Sequence, residues 1–400
     1  MKIAILYSHL KELGGAERVI LKQAELFHHK HHDVECLFAY VDKNLQRNLG
    51  SLRCRTSSFI TPIIPNQPAI RILSSIPLAL SALSTFKSAN ALICHGYGPA
   101  PWIGYLNKKT NGAGYISYIH SPPRFLYLDS QQRDLWKFND FRRMIFKIGK
   151  FAGPMLKEID YLSVVNSDSV LANSQFTAKR IRTVYGITPQ ICYPPVDTQS
   201  FTVLPQKCVK DFRASLGWPI ILSTGRIVAV KRWEWLLDIM SHVVRDFRSA
   251  VLAITGEITG ENAKYVGRLQ KMSRKLGIER NVKFLGFQSQ TELVKLYNAA
   301  DVYAYSVPHE DFGLGPVEAM ACGTPSIVWD DGGGPCETVI DGETGFRARP
   351  YDMEDFAEKT SKAIEFDKSE ISARTRTFVE SRFSSEKHFE ILEQAVRRLA

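Results

Sequence analysis

Short apolar segments alternate with amphipathic helical segments along almost the whole sequence, and this alternation restricts the fold more than any other feature. Strands separated by helices are typical of parallel sheets that are covered by helices on both faces. The predicted strands of the first half span 2–8, 34–41, 91–96, 115–120, 169–174 and 190–196. Those of the second half span 219–225, 250–256, 282–287, 302–307 and 325–329. Predicted helices fill the gaps between strands, notably 15–29 and 174–186. We therefore expect an α/β protein with two Rossmann-like, doubly wound parallel sheets.

The alternation pauses once, and the pause indicates a division into two domains. After YPPVDTQSF, the segment TVLPQKC at 202–208 has the composition of a linker. A chain of 400 residues is long enough for two domains of about 200 residues each. We expect a first domain over 1–200, a second over 201–384, and a helix over 385–400 that packs back on the first. Such domains place a ligand in the cleft between them, at the carboxyl ends of their strands.

Composition argues against several classes of protein. A hydrophobic content of 44% is typical of a globular chain, and the longest uncharged apolar stretch, 72–86, is shorter than the ~20 residues of a membrane span. The seven cysteines are odd in number and widely spaced, so they indicate neither a zinc site nor a disulfide framework. The N-terminal MKIAILYSH does not have the pattern of a signal peptide. We therefore expect a cytoplasmic protein.

The positive charge is concentrated in the first half of the chain. Residues 1–200 hold 24 Lys and Arg against 13 Asp and Glu, whereas residues 201–400 hold 27 against 28. A basic face attracts nucleic acid, an anionic membrane or a lipid-diphosphate substrate. Part of the excess lies in a basic amphipathic segment at 131–153, which either lies on a membrane surface or packs its apolar stripe on its own domain.

The segment HEDFGLGPVEAMACGTP, residues 309–325, carries the strongest chemical pattern. Its glycines and its proline exclude one continuous helix, so Glu310 is expected on a loop and Glu318 in the early turns of a short helix that begins near Pro316. The exposed N–H groups at a helix start bind anions, and carboxylates accept hydrogen bonds from hydroxyls. A nucleotide sugar combines a charged centre with hydroxyl-bearing ends. The alternative is a glycine-rich turn with Glu310 in solvent.

Other polar or glycine-rich segments also follow predicted strands. Gly14 and Gly15 open a helix after the first strand, although G-x-G-x-x-G is absent. Arg226 and Lys231 flank a loop after the first strand of the second domain, where they could hold a diphosphate or stand as two solvated charges. Glycines at 332–334 lead into a further helix start.

Together these motifs resemble the retaining glycosyltransferases of family 4, which have the GT-B fold. The resemblance covers nearly the whole chain, through GGAER, YPPVD, GR with a lysine five positions later, the two glutamates with EAMACGTP, and GGGPCETVIDGETGF. YIHSPPRFLYL at 118–128 is similar to the branch that transfers mannose from GDP-mannose during bacterial surface-polysaccharide assembly. The resemblance implies a lipid-linked or glycan acceptor at the cytoplasmic membrane face.

The resemblance also implies roles for individual residues. In the second domain Glu318 would accept hydrogen bonds from the ribose hydroxyls, Glu310 would hold the donor sugar, and Arg226 and Lys231 would bind the diphosphate. The backbone N–H groups that would assist Glu310 belong to Phe312, Gly313 and Leu314.

In the first domain, Gly14 and Gly15 would bring the backbone against the donor phosphates. His120 would face the sugar and the acceptor as a catalytic candidate. Arg124 could contact an acidic acceptor or form a surface ion pair.

We expect neither a metal nor a cofactor. Breaking the sugar–phosphate bond leaves a charge that must be stabilised, and Asp-x-Asp, the usual metal motif, is absent. Asp330 and Asp331 are adjacent, which is typical of a polar strand end. The arginine, the lysine and the helix start can supply the positive charge instead. The family resemblance implies retention through an oxocarbenium-like species, with the departing phosphate taking the proton of the acceptor.

Several alternatives stay open at this point. The same chemistry could use a UDP-sugar, because the sequence does not determine the base. From another class, the basic first half could bind nucleic acid, but it lacks a recognition motif, so we expect no nucleic-acid partner. An inactive glycosyltransferase-like scaffold and a phosphorylase are further alternatives. Peripheral association with an anionic membrane is expected if the basic segment is exposed.

Overall fold

The computed structural model describes residues 1–10, 14–42, 55–58, 89–124, 126–127, 140–260 and 262–399. The chain forms two compact units. The first unit contains Met1–Pro195 and His388–Ala400, and the second contains Val196–Lys387. Each unit is built on one parallel sheet with helices, which confirms the predicted α/β fold class.

The first sheet has the strand order β3-β2-β1-β4-β5-β6-β7, with all neighbours parallel. Its strands are β1 (Lys2–Leu10), β2 (Asp33–Val41), β3 (Arg55–Ser58), β4 (Ala91–His95), β5 (Gly114–Ile119), β6 (Ser169–Ala172) and β7 (Gln190–Ile191). The order reverses between β1 and β4. Because side chains alternate along a strand, Ile3 and Ile5 enter one apolar cluster while Ala4 and Leu6 enter another. The sheet is therefore buried on both faces, as parallel sheets usually are.

Among the described residues up to Pro195, the helices of the first unit are α1 (Gly15–His29), α2 (Pro99–Asn111), α3 (Asp140–Val165) and α4 (Gln175–Tyr185). The predicted helix at 15–29 matches α1, and the one at 174–186 matches α4. The Ser174 hydroxyl starts α4 by accepting a hydrogen bond from the Thr177 N–H at 2.9 Å. Gly186 ends it in the left-handed region, with φ of 69°.

The second sheet has the order β10-β9-β8-β11-β12-β13 and is also parallel throughout. Its strands are β8 (Ile220–Thr224), β9 (Val251–Thr255), β10 (Val282–Gly286), β11 (Val302–Tyr305), β12 (Ser326–Trp329) and β13 (Gly345–Ala348). The order reverses between β8 and β11, which pair directly through Val302 with Ile221 and Tyr303 with Leu222.

Helices follow most of these strands. They are α5 (Lys210–Leu216), α6 (Trp233–Asp246), α7 (Ala263–Lys275), α8 (Gln290–Ala299), α9 (Leu314–Ala321), α10 (Pro335–Thr338), α11 (Met353–Ile364), α12 (Lys368–Phe383) and α13 (Ser385–Arg397). Residues of α13 from His388 onward belong to the first unit. There Phe389, Leu392, Ala395 and Val396 are buried in the same cluster as Ile3 and Ile5.

The structure corrects several element boundaries. The strand expected at 190–196 is only Gln190–Ile191, because Pro194 and Pro195 have no N–H to donate to a ladder. The sequence patterns missed β3 and β13, which are four residues each and lie at sheet edges. Helix α9 begins at Leu314 rather than near Pro316. The first four helical N–H groups have no partner within the helix, so Pro316 is tolerated as its third residue.

Most side chains of the basic amphipathic segment at 131–153 lie outside the described residues. Residues 131–139, and the side chains of 140–152, lie outside the described residues, as does the apolar stretch 72–86. Within the part of the chain that the structure describes, no helix combines the length and the apolar character that crossing a membrane requires.

Candidate functional site

The second unit brings two predicted site residues together at the point where its strand order reverses. Lys231 follows β8 and Glu310 follows the neighbouring β11, so both leave the carboxyl edge of the sheet. In open parallel sheets this is where the connections of adjacent strands diverge and leave room for a ligand. The two side chains form an ion pair and are about one-fifth exposed, at 22% and 20%.

Tyr305, the last residue of β11, joins this ion pair. Its hydroxyl donates a hydrogen bond to Glu310 Oε2 at 2.8 Å and accepts one from Lys231 Nζ at 3.2 Å. Burial and the adjacent Glu310 carboxylate raise the pKa of Tyr305 well above its ordinary value, so the hydroxyl keeps its proton. Lys231 and Tyr305 therefore both donate to Glu310 and orient its carboxylate.

The loop that carries Glu310 is held by the loop after β12. The Gly334 N–H donates to the Glu310 carbonyl at 2.8 Å. A Cβ on Gly334 would lie 2.3 Å from the Asp311 carbonyl oxygen, so only glycine allows the two loops to approach this closely. The predicted glycine cluster at 332–334 thus supports the position of Glu310 through backbone packing.

Asp331 fixes the same loop from its other side. Its carboxylate accepts hydrogen bonds from the His309 N–H at 2.7 Å and from the Gly333 N–H at 2.9 Å. His309 has φ of 45°, which is uncommon for a residue with a side chain, and Tyr351 contacts its ring through a 2.9 Å hydrogen bond. The sequence pattern had suggested only a polar strand end here, so Asp331 and Tyr351 are residues that the pattern missed.

Glu318 lies on α9, immediately after that loop. It is 3% exposed, and the Tyr297 hydroxyl donates to its Oε2 at 3.0 Å. Tyr297 also hydrogen-bonds Thr224 Oγ1 at 3.1 Å, which connects Glu318 to the carboxyl end of β8. The structure thus places Glu310 on a loop and Glu318 in the following helix, as the sequence predicted.

The segment between the two glutamates consists of buried and half-buried residues. Phe312 is 3% exposed and packs edge-on against Phe383, with ring centroids 5.7 Å apart. Gly313 precedes α9 with φ of 83°, a left-handed conformation that favours glycine, and Leu314 is the first helical residue. The N–H groups at the start of α9 lie between the positions of Glu310 and Glu318 along the chain.

Arg226 lies at the same sheet edge, in the exposed segment after β8. Its carbonyl accepts hydrogen bonds from Trp233 Nε1 at 3.0 Å and from the Val228 N–H at 2.9 Å. The preceding Gly225 has φ of 144°, and a Cβ on Gly256 would lie 2.2 Å from its carbonyl oxygen. Glycine at both positions therefore lets the backbone turns after β8 and β9 touch.

The other predicted residues belong to the first unit. Gly14 precedes α1 and Gly15 is its first residue, at the carboxyl end of β1. His120 directly follows β5, and its Nε2 lies 3.1 Å from Nδ1 of His95, the last residue of β4. Burial lowers the pKa of His120 to about 3, so the imidazole is neutral near neutral pH. Arg124 is half-buried in the segment after His120.

No group of three or more histidine, cysteine, aspartate or glutamate side chains suited to a metal ion occurs among the described residues.

Two sequence families match consecutive parts of the chain. The family described as Glycosyltransferase Family 4 matches residues 13–200, and the family described as Glycosyl transferases group 1 matches residues 209–382. The second match contains the Lys231–Glu310 pair and Glu318, and the first contains His120.

The chain is similar in sequence to proteins named D-inositol 3-phosphate glycosyltransferase. It is 30% identical over 210 residues to that of Corynebacterium jeikeium, an alignment that covers 50% of each chain. It is 25% identical over 338 residues to that of Mycolicibacterium smegmatis, which covers 79% of this chain and 74% of the relative. The chain thus spans between half and three quarters of the length of these relatives.

Solved structures share its fold. Anabaena Alr3699/HepE in complex with UDP superposes with a TM-score of 0.78 at 20% identity, over 100% of both chains. Sucrose-phosphate synthase from Thermosynechococcus elongatus gives a TM-score of 0.81 at 19% identity, over 100% of this chain and 98% of that one. Residues 13–200 are therefore similar to Glycosyltransferase Family 4 and residues 209–382 to Glycosyl transferases group 1, and the chain has the GT-B fold.

Proposed function

We propose that this protein is a retaining, metal-independent hexosyltransferase that uses a nucleotide sugar. The observation that carries the proposal is the Lys231–Glu310 pair at the strand-order reversal of the second unit, followed directly by α9 with Glu318. A cation, a carboxylate and a helix start in this order suit a diphosphate with a hydroxyl-bearing group on each side.

Each group has a role in the proposed reaction. Lys231, Arg226 and the N–H groups of Phe312, Gly313 and Leu314 stabilise the diphosphate as it takes the electron pair of the breaking sugar–oxygen bond. Glu310 holds the sugar by accepting hydrogen bonds from its hydroxyls, and Glu318 does the same for the ribose. The acceptor hydroxyl attacks from the face that the phosphate leaves and gives its proton to the departing phosphate oxygen. No side-chain nucleophile and no metal takes part.

Two donors are proposed, and each has its own support. GDP-mannose follows from the YIHSPPRFLYL segment and its resemblance to mannosyltransferases of bacterial surface polysaccharides. A UDP-hexose is supported by the HepE structures, one of which holds UDP and another UDP-glucose.

Two kinds of acceptor are proposed in the same way. A lipid-linked or oligosaccharide acceptor follows from the sequence resemblance. A phosphorylated cyclitol is supported by the relatives named D-inositol 3-phosphate glycosyltransferase. Both kinds carry negative charge when a phosphate is present, and the basic excess of residues 1–200 favours such molecules.

Thermal unfolding with GDP, UDP, ADP and their sugar conjugates tests the proposal. A ligand at 100 times its Kd adds about 2.7 kcal/mol of stability, so the correct base should raise Tm clearly above the others. Release of labelled sugar from the selected donor should then be unchanged by EDTA. Absence of stabilisation by every nucleotide, or loss of activity with the chelator, would refute the proposal.

We also propose that the protein works at the cytoplasmic face of a membrane. The support is the basic amphipathic sequence at 131–153. Cosedimentation should occur with vesicles that contain anionic lipid and should weaken as salt is raised, whereas neutral vesicles should not bind. Equal binding to neutral vesicles, or none to anionic ones, would contradict this location.

A further inference from the structure

A buried chain of hydrogen bonds connects His120 to the backbone at Tyr193 in the first unit. His120 Nε2 lies 3.1 Å from His95 Nδ1, and His95 Nε2 lies 2.8 Å from Gln23 Oε1. Gln23 Nε2 lies 3.0 Å from His388 Nε2, and His388 Nδ1 lies 2.6 Å from the Tyr193 carbonyl oxygen. Gln23, His95 and His388 are all at most 3% exposed. This chain of hydrogen bonds thus connects α1, β4 and α13 to the predicted catalytic histidine, His120.

The carbonyl group at one end determines the direction of every bond. A carbonyl oxygen only accepts, so the 2.6 Å contact requires the proton of His388 on Nδ1. Nε2 of a neutral His388 is then an acceptor, and the Gln23 amide nitrogen must donate to it. The Gln23 amide oxygen consequently accepts from His95 Nε2.

The same reasoning continues to His120. A neutral His95 that carries its proton on Nε2 has an unprotonated Nδ1, which can only accept. His120 must therefore donate from Nε2, which leaves its own Nδ1 without a proton. Within the described residues, Nδ1 of His120 has no hydrogen-bond partner.

Burial keeps these imidazoles neutral, as the direction of the chain requires. It lowers the pKa of His388 to about 4 and that of His120 to about 3, and it lowers the pKa of His95 well below its ordinary value. Each ring thus carries a single proton near neutral pH. If the Gln23 amide were rotated, its oxygen would face His388 Nε2 and would have to accept a hydrogen bond from it. His388 would then carry protons on both nitrogens, because Nδ1 still donates to the Tyr193 carbonyl, and burial opposes this charged form.

We infer that Gln23, His95 and His388 are positioning residues that hold His120 as its Nε2–H tautomer, so that Nδ1 of His120 accepts a hydrogen bond from a hydroxyl group of the substrate. The identity of the partner as a sugar or acceptor hydroxyl rests on the proposed function. The tautomer itself does not. His120 in this state is a fixed acceptor and not a proton donor to the substrate.

The tautomer can be measured directly in the protein without ligand. With histidine labelled by ¹³C and ¹⁵N, ring shifts distinguish the two neutral tautomers, and His120→Gln identifies the signals of His120. At neutral pH we expect the Nε2–H form for His120 and His95 and the Nδ1–H form for His388. The opposite tautomer at His120, or a mixture, would overturn the inference.

Variants of Gln23 separate the hydrogen-bond chain from packing. Gln23→Leu removes the link, so His95 and His120 should become tautomeric mixtures. Gln23→Glu still accepts from His95, so His120 should keep the Nε2–H form while His388 becomes protonated on both nitrogens. The matched control is Cys192→Ala. The Cys192 Sγ lies 3.4 Å from His388 Nδ1 but is not part of the chain of hydrogen bonds, so the tautomers should not change in this variant. If His120 kept a single Nε2–H form in Gln23→Leu, the chain of hydrogen bonds would not be what determines its tautomer.

Turnover provides a second measurement with the donor that the nucleotide panel selects. Gln23→Leu should lower kcat/KM about tenfold, the effect of one misdirected hydrogen bond, and should leave nucleoside diphosphate affinity unchanged. Gln23→Glu should recover most of that loss. If no nucleotide sugar is turned over but the tautomers are as expected, the proposed function is wrong and the inference about the His120 tautomer is confirmed. If turnover occurs and His120 is the Nδ1–H form, the inference about the tautomer is wrong.

Discussion

Lys231 and Glu310 are 79 positions apart in the chain and form an ion pair to which the Tyr305 hydroxyl also bonds. The pair neutralises both charges in the protein without ligand. In the proposed reaction Lys231 binds the diphosphate and Glu310 binds the sugar. Before the donor binds, the ion pair holds both side chains in position. Both side chains are only about one-fifth exposed, which strengthens their interaction relative to an ion pair at the surface.

Because they act as a pair, their substitutions should not be independent. Lys231→Met and Glu310→Gln should each lower kcat/KM by about 100-fold, the usual effect of losing one stabilising group at a developing charge. The double variant should lose far less than the product of the two, as measured by a double-mutant cycle. Lys271→Met on the exposed face of α7 is the matched control and should remain within about twofold. Multiplicative losses would show that the two residues act separately.

Glu318 should determine nucleotide binding. Glu318→Ala removes the buried carboxylate, so stabilisation by the nucleoside diphosphate in thermal unfolding should fall by about 1.4 to 2.7 kcal/mol, equivalent to 10- to 100-fold in affinity. Glu310→Ala should mainly lower turnover and keep this stabilisation. Tyr297→Phe is the control, because it removes the 3.0 Å hydrogen bond to Glu318 but leaves the carboxylate. An undiminished Tm shift in Glu318→Ala would refute its assignment.

Gly334 should be intolerant of a side chain, although its backbone conformation would accept one. Its φ of −54° is ordinary, so the effect of Gly334→Ala arises from the 2.3 Å approach of Cβ to the Asp311 carbonyl oxygen. We expect a loss of about 1 to 3 kcal/mol in urea unfolding, together with reduced turnover because the Glu310 loop moves.

Gly267 provides the matched control for Gly334. It lies inside α7, and a Cβ there would have no neighbour within 4 Å. Gly267→Ala should therefore stabilise the protein by up to about 1 kcal/mol, because alanine restricts the unfolded chain and favours helix. Equal destabilisation by both substitutions would contradict the loop contact as the cause.

Asp160 should make the stability of the protein depend on pH. Burial raises its pKa to about 6, against hydrogen bonds that lower it, among them the Tyr185 hydroxyl at 2.7 Å. Its pKa is lower in the unfolded chain, at about 3.8, so the folded state binds the proton more tightly between these values. The contribution of Asp160 to stability therefore decreases as pH rises from about 4 through about 6 and stays low above that.

Asp160→Asn tests this sign. Asparagine cannot ionise but can still accept from Tyr185, so its advantage over the parent in urea unfolding should grow by about 1 to 1.5 kcal/mol between pH 5 and pH 8. Asp168→Asn is a comparison at a half-exposed aspartate, which pairs with Lys108. A constant difference between Asp160→Asn and the parent across this range would show that the carboxyl titrates normally.

Local sequence patterns were sufficient for most of the fold. The two-residue and 3.6-residue periods depend only on which side chains face a core, so they located α1, α4 and the longer strands. They failed for β3 and β13, where four residues are too few to show a period. They also misplaced the start of α9, because the position of a proline limits a helix start without defining it.

Part of the candidate site could also be predicted from the amino-acid sequence. Glu310 and Glu318 lie on opposite sides of a turn that two glycines and a proline require, and this is a local property of 17 residues, 309–325. The roles of Asp331 and Tyr305 were missed for the opposite reason. Each has a contact that depends on strand order, because Asp331 accepts from the His309 N–H and Tyr305 accepts from Lys231.

The sequence by itself determined two parallel α/β units and the order loop, glutamate, turn, helix and glutamate, because periodicity and backbone restrictions act between near neighbours. Only the tertiary structure decided that Lys231 pairs with Glu310 and that Gln23 contacts His388, 365 positions away. Those contacts depend on which strands lie side by side and on how the last helix packs. No local pattern encodes these distances, since they are set by the burial of whole faces of sheet and helix.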